Sequence, residues 1–126
     1  MSGSGIASEH DAYTLFQQGV ALISGRHWAQ AVVPLEKARR LEPDKTSIRE
    51  ALGRAHFHSG RYRDAAREFE AIVELSPTND YAHFCLARSF EKLGNRMAAR
   101  RHFSLACGLR PDRSDYRLYR ERARAA

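Results

Sequence analysis

Apolar and polar residues alternate along the chain at helical spacing, and the same pattern returns every 34 residues. Within each copy, apolar or small residues recur at intervals of three and four, which is typical of the buried face of a helix. Pro43, Pro77 and Pro111 mark the period, and each follows a leucine by two positions. A fixed period of this length predicts stacked helical hairpins.

The first copy opens with a helix start signal. Ser8 is followed three residues later by the acid Asp11, a variant of the capping box, so the first helix is expected to begin there. Ser24-Gly25-Arg26 interrupts the helical pattern, and a second helix is expected from about Trp28 to Leu41. Residues 1–7 are small and flexible in composition and are expected to form a disordered lead.

The later copies repeat this arrangement of helix, inner turn, helix and proline. In the second copy, Thr46 or Ser47 is expected to cap the first helix. Gly60 and Gly94 occupy the inner turns, where glycine tolerates a left-handed backbone, and proline beyond the second helix cannot continue it. The copies are expected over about residues 12–45, 46–79 and 80–113.

One more helix is predicted after Pro111, over residues 114–125. Tyr116, Tyr119 and Ala123 share one side of it, and arginines occupy most of the remainder. Repeat arrays leave an apolar face open at each end, so a final helix with one apolar and one charged side fits a solvating cap. A basic binding arm is the alternative interpretation of the same helix.

Certain positions of the period hold a residue of similar size in every copy. Small residues stand at Gly19, Gly53 and Ala87 and again at Ala31, Ala65 and Ala99, and large ones stand at Leu35, Phe69 and Phe103. With the three prolines, they resemble the signature of tetratricopeptide repeat proteins. The resemblance covers residues 12–113. It departs from the family where a tryptophan is usual (Leu15, Arg49 and His83) and where a tyrosine is usual (Leu22, His56 and Phe90).

This resemblance implies an all-α fold and a function. The expected fold is an α-solenoid of three antiparallel helix hairpins plus the final helix, seven helices in a single domain over residues 8–126. In the family, the first helices of the hairpins line a concave groove that takes a peptide or helix of a partner. Counted from the prolines, the groove residues here are Tyr13, Phe16, Gln17, Val20, Glu50, Arg54, His58, Tyr81, Phe84, Arg88 and Lys92.

The expected function is therefore that of an adaptor or scaffold that binds a protein or peptide partner with acidic and apolar side chains. Aromatic residues and arginine are the commonest anchors of binding hot spots. Phe16 and Phe84 lie outside the internal packing pattern of the family, so they are expected to be available to a ligand. The alternative is that both pack against neighbouring helices, or that the N-terminus of the chain fills the groove.

One binding mode of the resembled family is not expected. Members that clamp the C-terminal carboxylate of heat-shock chaperones use lysine, asparagine, asparagine, lysine and arginine at five groove positions. None of these residues is present here, where the equivalent positions are Phe16, Val20, Ala51, Tyr81 and Cys85.

The residues offer no catalytic or metal-binding constellation. No histidine pair has the i, i+4 spacing of a helical metal site, neither cysteine belongs to a CxxC motif, and no phosphate-binding loop is present. An enzyme, a cofactor and a metal are not expected. Cys85 and Cys107 lie in different predicted helices, which favours reduced thiols and a cytoplasmic location. No apolar run reaches the length of a membrane span, and the first residues lack the pattern of a signal peptide.

Charge is distributed unevenly along the 126 residues, whose net charge is +6. Residues 88–126 carry eleven Arg or Lys against four Asp or Glu. Such asymmetry indicates an acidic partner, although a solvated surface explains it equally simply. Two further alternatives are a homo-oligomer formed through the open edge of the first repeat, and nucleic-acid binding through the basic C-terminal third, at Arg96, Arg100, Arg101, Arg117, Arg120 and Arg124.

Overall fold

The computed structural model describes residues 11–126, and in that range the chain forms seven α-helices and no strand. The all-α class expected from the sequence is confirmed. Ser8 and the lead over residues 1–7 lie outside the described residues. The helices are α1 (Ala12–Ser24), α2 (Trp28–Leu41), α3 (Thr46–His58), α4 (Tyr62–Leu75), α5 (Asp80–Lys92), α6 (Arg96–Leu109) and α7 (Ser114–Ala125).

The chain divides into two compact units. The N-terminal unit runs to Arg61 and contains α1 to α3, with α2 packed against both α1 and α3. The C-terminal unit begins at Tyr62 and contains α4 to α7, in which each helix packs against the next.

Aliphatic and small side chains build the core of the N-terminal unit. Leu35 is fully buried, and its side chain lies directly against the backbone of Gly19. A Cβ atom at residue 19 would overlap this side chain, so glycine is what allows α1 and α2 to approach so closely. The other buried members of the two clusters in this core are Ala12, Leu15, Ile23, Ala31, Val32, Ala38, Ile48, Ala51, Leu52 and Ala55.

Aromatic side chains build the core of the C-terminal unit. Phe103 of α6 and Tyr116 of α7 are fully buried, and Phe84 of α5 lies between them. The Tyr116 hydroxyl donates a hydrogen bond of 2.7 Å to Oδ2 of Asp80, so its polar end is satisfied. Burial is the main cause that raises the pKa of Tyr116, and the bond to Asp80 adds to it. The helix predicted after Pro111 thus supplies part of a core.

Two of the expected helix caps differ from the sequence-based interpretation. Among the described residues, helix α1 begins at Ala12, and the Asp11 side chain caps it by accepting a bond of 2.7 Å from the Thr14 amide. Helix α3 already includes Thr46, and its N-cap is Lys45, which makes no side-chain capping bond. A lysine ammonium is a donor only and cannot satisfy a free N–H group.

The three inner turns also differ from one another. Gly60 and Gly94 adopt the left-handed backbone expected of them, with φ of 80° and 82°. In the first turn Gly25 has a φ of −86°, and the left-handed residue is Arg26, with a φ of 61°. The three left-handed residues stand 34 positions apart, so the geometry repeats although glycine does not occupy the position in the first copy.

A second repeated detail fixes the turns that hold the prolines. Six residues after each proline, a side chain donates a hydrogen bond to the carbonyl oxygen of that proline. The distances are 2.6 Å from Arg49 Nε to Pro43, 2.8 Å from His83 Nε2 to Pro77, and 2.6 Å from an Arg117 guanidinium nitrogen to Pro111. Leu15, at the equivalent position of the first copy, follows no repeat proline.

Candidate functional site

Helix α1 presents four of the sequence-predicted site residues along one stripe. Tyr13 is 67% exposed, Val20 is 38% exposed, and Gln17 lies on the surface between them. The Gln17 amide donates a bond of 2.8 Å to the Tyr13 hydroxyl oxygen, which restricts the position of that ring. Phe16 is half-buried and packs against both aliphatic clusters of the N-terminal unit. The stripe therefore combines one anchored aromatic ring with one exposed ring.

A cavity of about 220 Å³ opens beside this stripe. Tyr13 and Phe16 contribute to its lining together with Ile48 of α3, and the exposed pair Lys45 and Glu42, 3.9 Å apart, stands at it. Sequence reasoning missed Ile48 and Lys45, because the periodicity assigns Ile48 to the core and Lys45 to a turn. We call the stripe and this cavity the N-terminal surface.

Helix α3 carries three predicted site residues with different surroundings. Glu50 and Arg54 are half-buried and stand one helical turn apart. His58 is exposed, and its ring stacks on Trp28 with 4.2 Å between centroids. His58 and Trp28 line another cavity, of about 360 Å³, near the turn between α1 and α2. His58 thus lies away from the cavity lined by Tyr13.

In the C-terminal unit, Phe84 is not placed as expected. It is only 9% exposed, because it stacks on Tyr116 at 4.8 Å and meets Tyr119 edge-on at 5.0 Å. Tyr81 is half-buried against the same cluster. Phe84 therefore fits the alternative expectation, in which its ring packs against neighbouring helices. We therefore leave it out of the residues that can contact a ligand.

The remaining predicted residues of this unit are basic. Arg88 on α5 is half-buried, and its guanidinium lies 5.0 Å from the centroid of the Tyr119 ring. Arg122 on α7 approaches the same ring at 5.3 Å. Lys92 lies one turn beyond Arg88 and is exposed. Sequence reasoning missed Arg122. The repeat period could have indicated it, because Arg122 lies 34 residues after Arg88.

Most of the arginines of the basic C-terminal third have internal partners. Arg100 donates to the carbonyl oxygens of Ala123 and Ala126, both at 2.9 Å, and so satisfies the end of α7. Arg120 and Arg124 both bind Glu121. With Arg117 bound to the Pro111 carbonyl, four of the six arginines considered for nucleic-acid binding have a partner within the chain.

A buried histidine pair joins α5 to α6. The Nδ1 atoms of His83 and His102 are 3.0 Å apart. Because His83 Nε2 must donate to the Pro77 carbonyl, the neutral pair is satisfied when His102 Nδ1 donates to His83. Burial lowers the pKa of His102 to about 4, and the positive charges of His83 and Arg101 act in the same direction.

Metal and membrane sites are absent from the part of the chain that the structure covers. Residues 11–126 contain no group of three or more His, Cys, Asp or Glu side chains that could hold a metal ion. Neither Cys85 nor Cys107 takes part in a disulfide bond. No helix among the described residues has the length and apolar character needed to cross a bilayer.

Known proteins resemble the chain in sequence over most of its length. It is 32% identical over 91 residues to mouse superkiller complex protein 3, a match that covers 72% of this chain and 6% of the relative. It is 28% identical over 109 residues to the TPR repeat-containing thioredoxin TTL4 of Arabidopsis thaliana, which covers 86% of this chain and 16% of the relative. The chain thus spans only a small part of these relatives.

Solved structures of similar fold cover most of the chain. MamA from Desulfovibrio magneticus RS-1 superposes with a TM-score of 0.89 at 20% identity, covering 94% of this chain and 67% of MamA. The first TPR of Spaghetti (RPAP3), bound to the HSP90 peptide SRMEEVD, superposes with a TM-score of 0.86 at 14% identity, covering 90% of each chain. The family profile described as tetratricopeptide repeat matches residues 16–80. With this profile, the 34-residue period and these folds in agreement, the chain belongs to the tetratricopeptide repeat family.

Proposed function

We propose that this chain is a non-catalytic interaction module, an adaptor or scaffold that binds a segment of a partner protein through the exposed sides of its first helices. The tetratricopeptide fold is a protein–protein interaction module. The observation that carries the proposal for this chain is the N-terminal surface, where the exposed Tyr13 ring stands beside a cavity lined by both apolar side chains, such as Phe16 and Ile48, and charged ones. Exposed apolar groups beside a cavity are typical of binding sites.

The N-terminal surface would contribute apolar contacts. A cavity of about 220 Å³ is large enough for one apolar side chain of a partner, with Tyr13 and Phe16 against it. Tyrosine offers a large contact area at a small cost in conformational entropy, and its bond to Gln17 reduces that cost further. Lys45, at the same cavity, would favour an acidic residue next to the inserted side chain.

Basic residues would contribute the charged contacts. We assign these contacts to Arg54, which is half-buried in the N-terminal unit, and to Arg88 and Lys92, which are half-buried and exposed in the C-terminal unit. Guanidinium groups form paired, directional bonds with carboxylates, which a lysine cannot match. A partner segment that combines acidic and apolar residues is therefore the ligand that these surfaces fit.

We also propose that the module catalyses no reaction and that it acts in the cytoplasm. A metal, a cofactor and a catalytic step have no part in this function. We propose the cytoplasm as its location, and two cysteines outside any disulfide bond agree with its reducing conditions.

The chaperone peptide bound by the first TPR of Spaghetti is not proposed as a ligand here. Phe16, Val20, Ala51, Tyr81 and Cys85 replace the lysine, asparagine and arginine residues that the carboxylate-clamping members use. We expect a labelled SRMEEVD peptide to leave fluorescence anisotropy unchanged up to millimolar protein. Saturable binding that a C-terminal amide abolishes would contradict this expectation.

Quantitative affinity purification from the native cell tests the proposed surface. The test variant is Tyr13→Ser with Arg54→Glu. The control variant is Val33→Ser with Arg40→Glu, which likewise replaces an exposed apolar residue with serine and reverses the charge of an arginine, here on α2. We expect partners recovered by the unmodified chain to fall about tenfold with the test variant and to persist with the control. Equal recovery with both variants would contradict the assignment of the surface.

A further inference from the structure

We infer that the outward side of α6 is a second docking surface, which binds an amphipathic helix of a partner protein that carries an acidic residue between two apolar ones. This α6 surface lies in the C-terminal unit, whereas the N-terminal surface lies in the other unit, so the inference goes beyond the proposed function. The residues of the α6 surface are all exposed and are Met97, Arg101, Ser104, Leu105 and Gly108.

The α6 surface lies on the side of the helix opposite its buried residues. Residues three or four positions apart are neighbours on a helix, so its five members form one stripe. The other side of α6, which includes Phe103 and Ala106, is buried against α5 and α7. Met97 is 81% exposed near the start of the stripe, and Leu105 is 43% exposed towards its end. Two large apolar side chains thus flank Arg101 on an exposed helix face.

The equivalent face of α4 has a different composition. There, four of the five positions are charged, with both signs present, which is typical of a solvated helix face. In α6, three of those four charged positions hold Met97, Ser104 and Gly108, and Arg101 is the charge that remains. Depletion of charge with methionine and arginine present is characteristic of the centre of an interface. The equivalent residues of α4 are Arg63, Arg67, Glu70, Ala71 and Glu74.

Arg101 supplies the charge that selects the partner. One of its guanidinium nitrogens lies 3.4 Å from Nε2 of His102, whose ring is uncharged at neutral pH. Helix α6 contains no acidic residue, and within residues 11–126 no carboxylate oxygen lies within 4.0 Å of the Arg101 guanidinium. Arg67, its equivalent in α4, pairs with Asp64 at 3.5 Å. Arg101 can therefore bind the carboxylate of a partner without breaking an internal ion pair.

The shape of the α6 surface fits a helix. A cavity of about 260 Å³ opens at its start, lined by Asn95, Met97, Ala98 and Arg101, and can receive one apolar side chain. At its end, no atom lies within 4 Å of a β-carbon added to Gly108, so another backbone can approach closely. Met97 and Leu105 are separated by about 12 Å along the helix axis. Two apolar residues seven positions apart on a partner helix span about the same distance, with an acidic residue between them.

Two other occupants fit the α6 surface less well. A two-fold contact with a second copy of this chain would bring the Arg101 side chains of both copies together, and like charges repel. A membrane surface requires an apolar face along the helix with several cations beside it, whereas this face has two large apolar side chains and one cation. An acidic helix of another protein complements both the charge and the apolar residues.

Fluorescence anisotropy with defined peptides tests the α6 surface. The probe is a labelled, alanine-rich helical peptide with leucine at positions i and i+7 and glutamate at position i+4, and its control has glutamine in place of the glutamate. The protein is the full chain, unmodified or as Arg101→Gln, Met97→Ser or Gly108→Gln. Matched controls are Arg67→Gln, at the equivalent position of α4, and Leu118→Ser, at an exposed position of α7.

We expect the unmodified chain to bind the glutamate peptide with a Kd below about 1 mM. Arg101→Gln should weaken this binding about five- to tenfold, as loss of a charge-assisted bond predicts, and should change binding of the glutamine peptide about twofold or less. Met97→Ser should also weaken it about five- to tenfold, through loss of apolar contact. The two control variants should change it about twofold or less.

Gly108→Gln separates docking from folding. The added side chain meets no atom of the chain at its first carbon, and glutamine has the better helix propensity, so the thermal melt should not fall. Binding of the glutamate peptide should nevertheless weaken about fivefold or more, because the side chain occupies the place of the partner helix. Unchanged peptide binding by a folded Gly108→Gln would contradict the docking position.

Several outcomes would overturn the inference. They are equal losses for Arg101→Gln and Arg67→Gln, the absence of peptide binding, and Arg101-dependent sedimentation with phosphatidylserine vesicles that exceeds binding to the peptide. A dimer in light scattering that Met97→Ser dissociates would assign the surface to a second copy instead. The variant Tyr13→Ser with Arg54→Glu should bind the glutamate peptide as the unmodified chain does. If this variant loses the peptide and Arg101→Gln retains it, the inference is wrong and the proposed function gains support.

Discussion

The two units follow the same 34-residue pattern with different core chemistry. The N-terminal unit packs aliphatic and small side chains, and its tightest contact is between Gly19 and Leu35. The C-terminal unit packs rings, and places Ala87 and Phe103 at the corresponding positions. The third copy thus has alanine where the first copy has glycine, and the larger phenylalanine where the first copy has leucine.

This difference determines which unit depends on polar groups. Aliphatic side chains need only shape and burial, whereas tyrosine and histidine bring atoms that must be hydrogen-bonded when buried. In the C-terminal unit, Asp80 satisfies Tyr116, and His83 satisfies His102. Removing a single polar atom from one of these side chains, or lowering the pH, should therefore change the free energy of unfolding of this unit.

The largest effect is expected at Tyr116. Replacing it with alanine removes a fully buried ring and should lower the free energy of unfolding by about 4 kcal/mol. Tyr116→Phe keeps the ring but leaves Asp80 without its donor, and should cost about 2 kcal/mol in a denaturant titration. Tyr119→Phe is the control, expected to cost no more than about 0.5 kcal/mol. A Tyr116→Phe variant as stable as this control would contradict the importance of the polar contact.

Gly19 offers the matching experiment in the N-terminal unit. A β-carbon at residue 19 overlaps the side chain of Leu35, which is fully buried. Gly19→Ala should therefore lower the free energy of unfolding by about 2–3 kcal/mol, despite the better helix propensity of alanine. The reverse change at the equivalent position, Ala87→Gly, should cost only about 1 kcal/mol, through helix propensity. If Gly19→Ala proved neutral, close packing of α1 on α2 would not be a constraint.

The histidine pair predicts a loss of stability in acid. The pKa of His102 is about 4 in the folded chain and 6.5 as its ordinary value, so the unfolded chain binds the proton more readily. The stabilisation is complete above about pH 6.5 and is lost as the pH falls toward 4. Between about pH 7 and pH 4.5, the unmodified chain should lose about 2 kcal/mol more than His102→Asn, measured by urea titration at each pH. Parallel pH profiles would exclude His102 as the cause.

The smallest expected effect has the opposite sign and concerns the inner turns. Arg26 has a left-handed backbone that costs an ordinary residue about 1 kcal/mol, so Arg26→Gly should stabilise the chain by about 0.5 kcal/mol. At Gly60, where no atom would contact an added β-carbon, Gly60→Ala should destabilise it by about 1 kcal/mol. Thermal melts of the two variants should shift in opposite directions. Shifts in the same direction would mean that backbone strain does not distinguish these turns.

The 34-residue period predicted the helices well because the same pattern of apolar and polar residues occurs in three copies. Helix α2 was expected from about Trp28 to Leu41 and has these bounds. The helix caps and the left-handed residues were harder to predict from the sequence. The left-handed residue of the first turn is Arg26 and the cap of α3 is Lys45, and both depend on backbone geometry rather than on residue preference.

The site was predicted only in part, for a physical reason that Phe84 illustrates. Phe16 and Glu50 occupy the equivalent positions of the other two copies. Both are half-buried, as expected of a position at the surface. Phe84 is buried because Tyr116 and Tyr119 cover it, and both belong to α7, outside the three copies. A pattern derived from the repeats contains no information on contacts with a segment that is not repeated.

The bonds from Arg49, His83 and Arg117 to the preceding prolines have a consequence for engineering. In each case the proline lies near the end of one copy, while the side chain that donates to its carbonyl belongs to the helix that follows. A cut at the proline would separate the acceptor from its donor. A transplantable module should therefore extend beyond the donor into the following helix, and a shuffled array should keep an arginine or histidine wherever a proline comes six residues before.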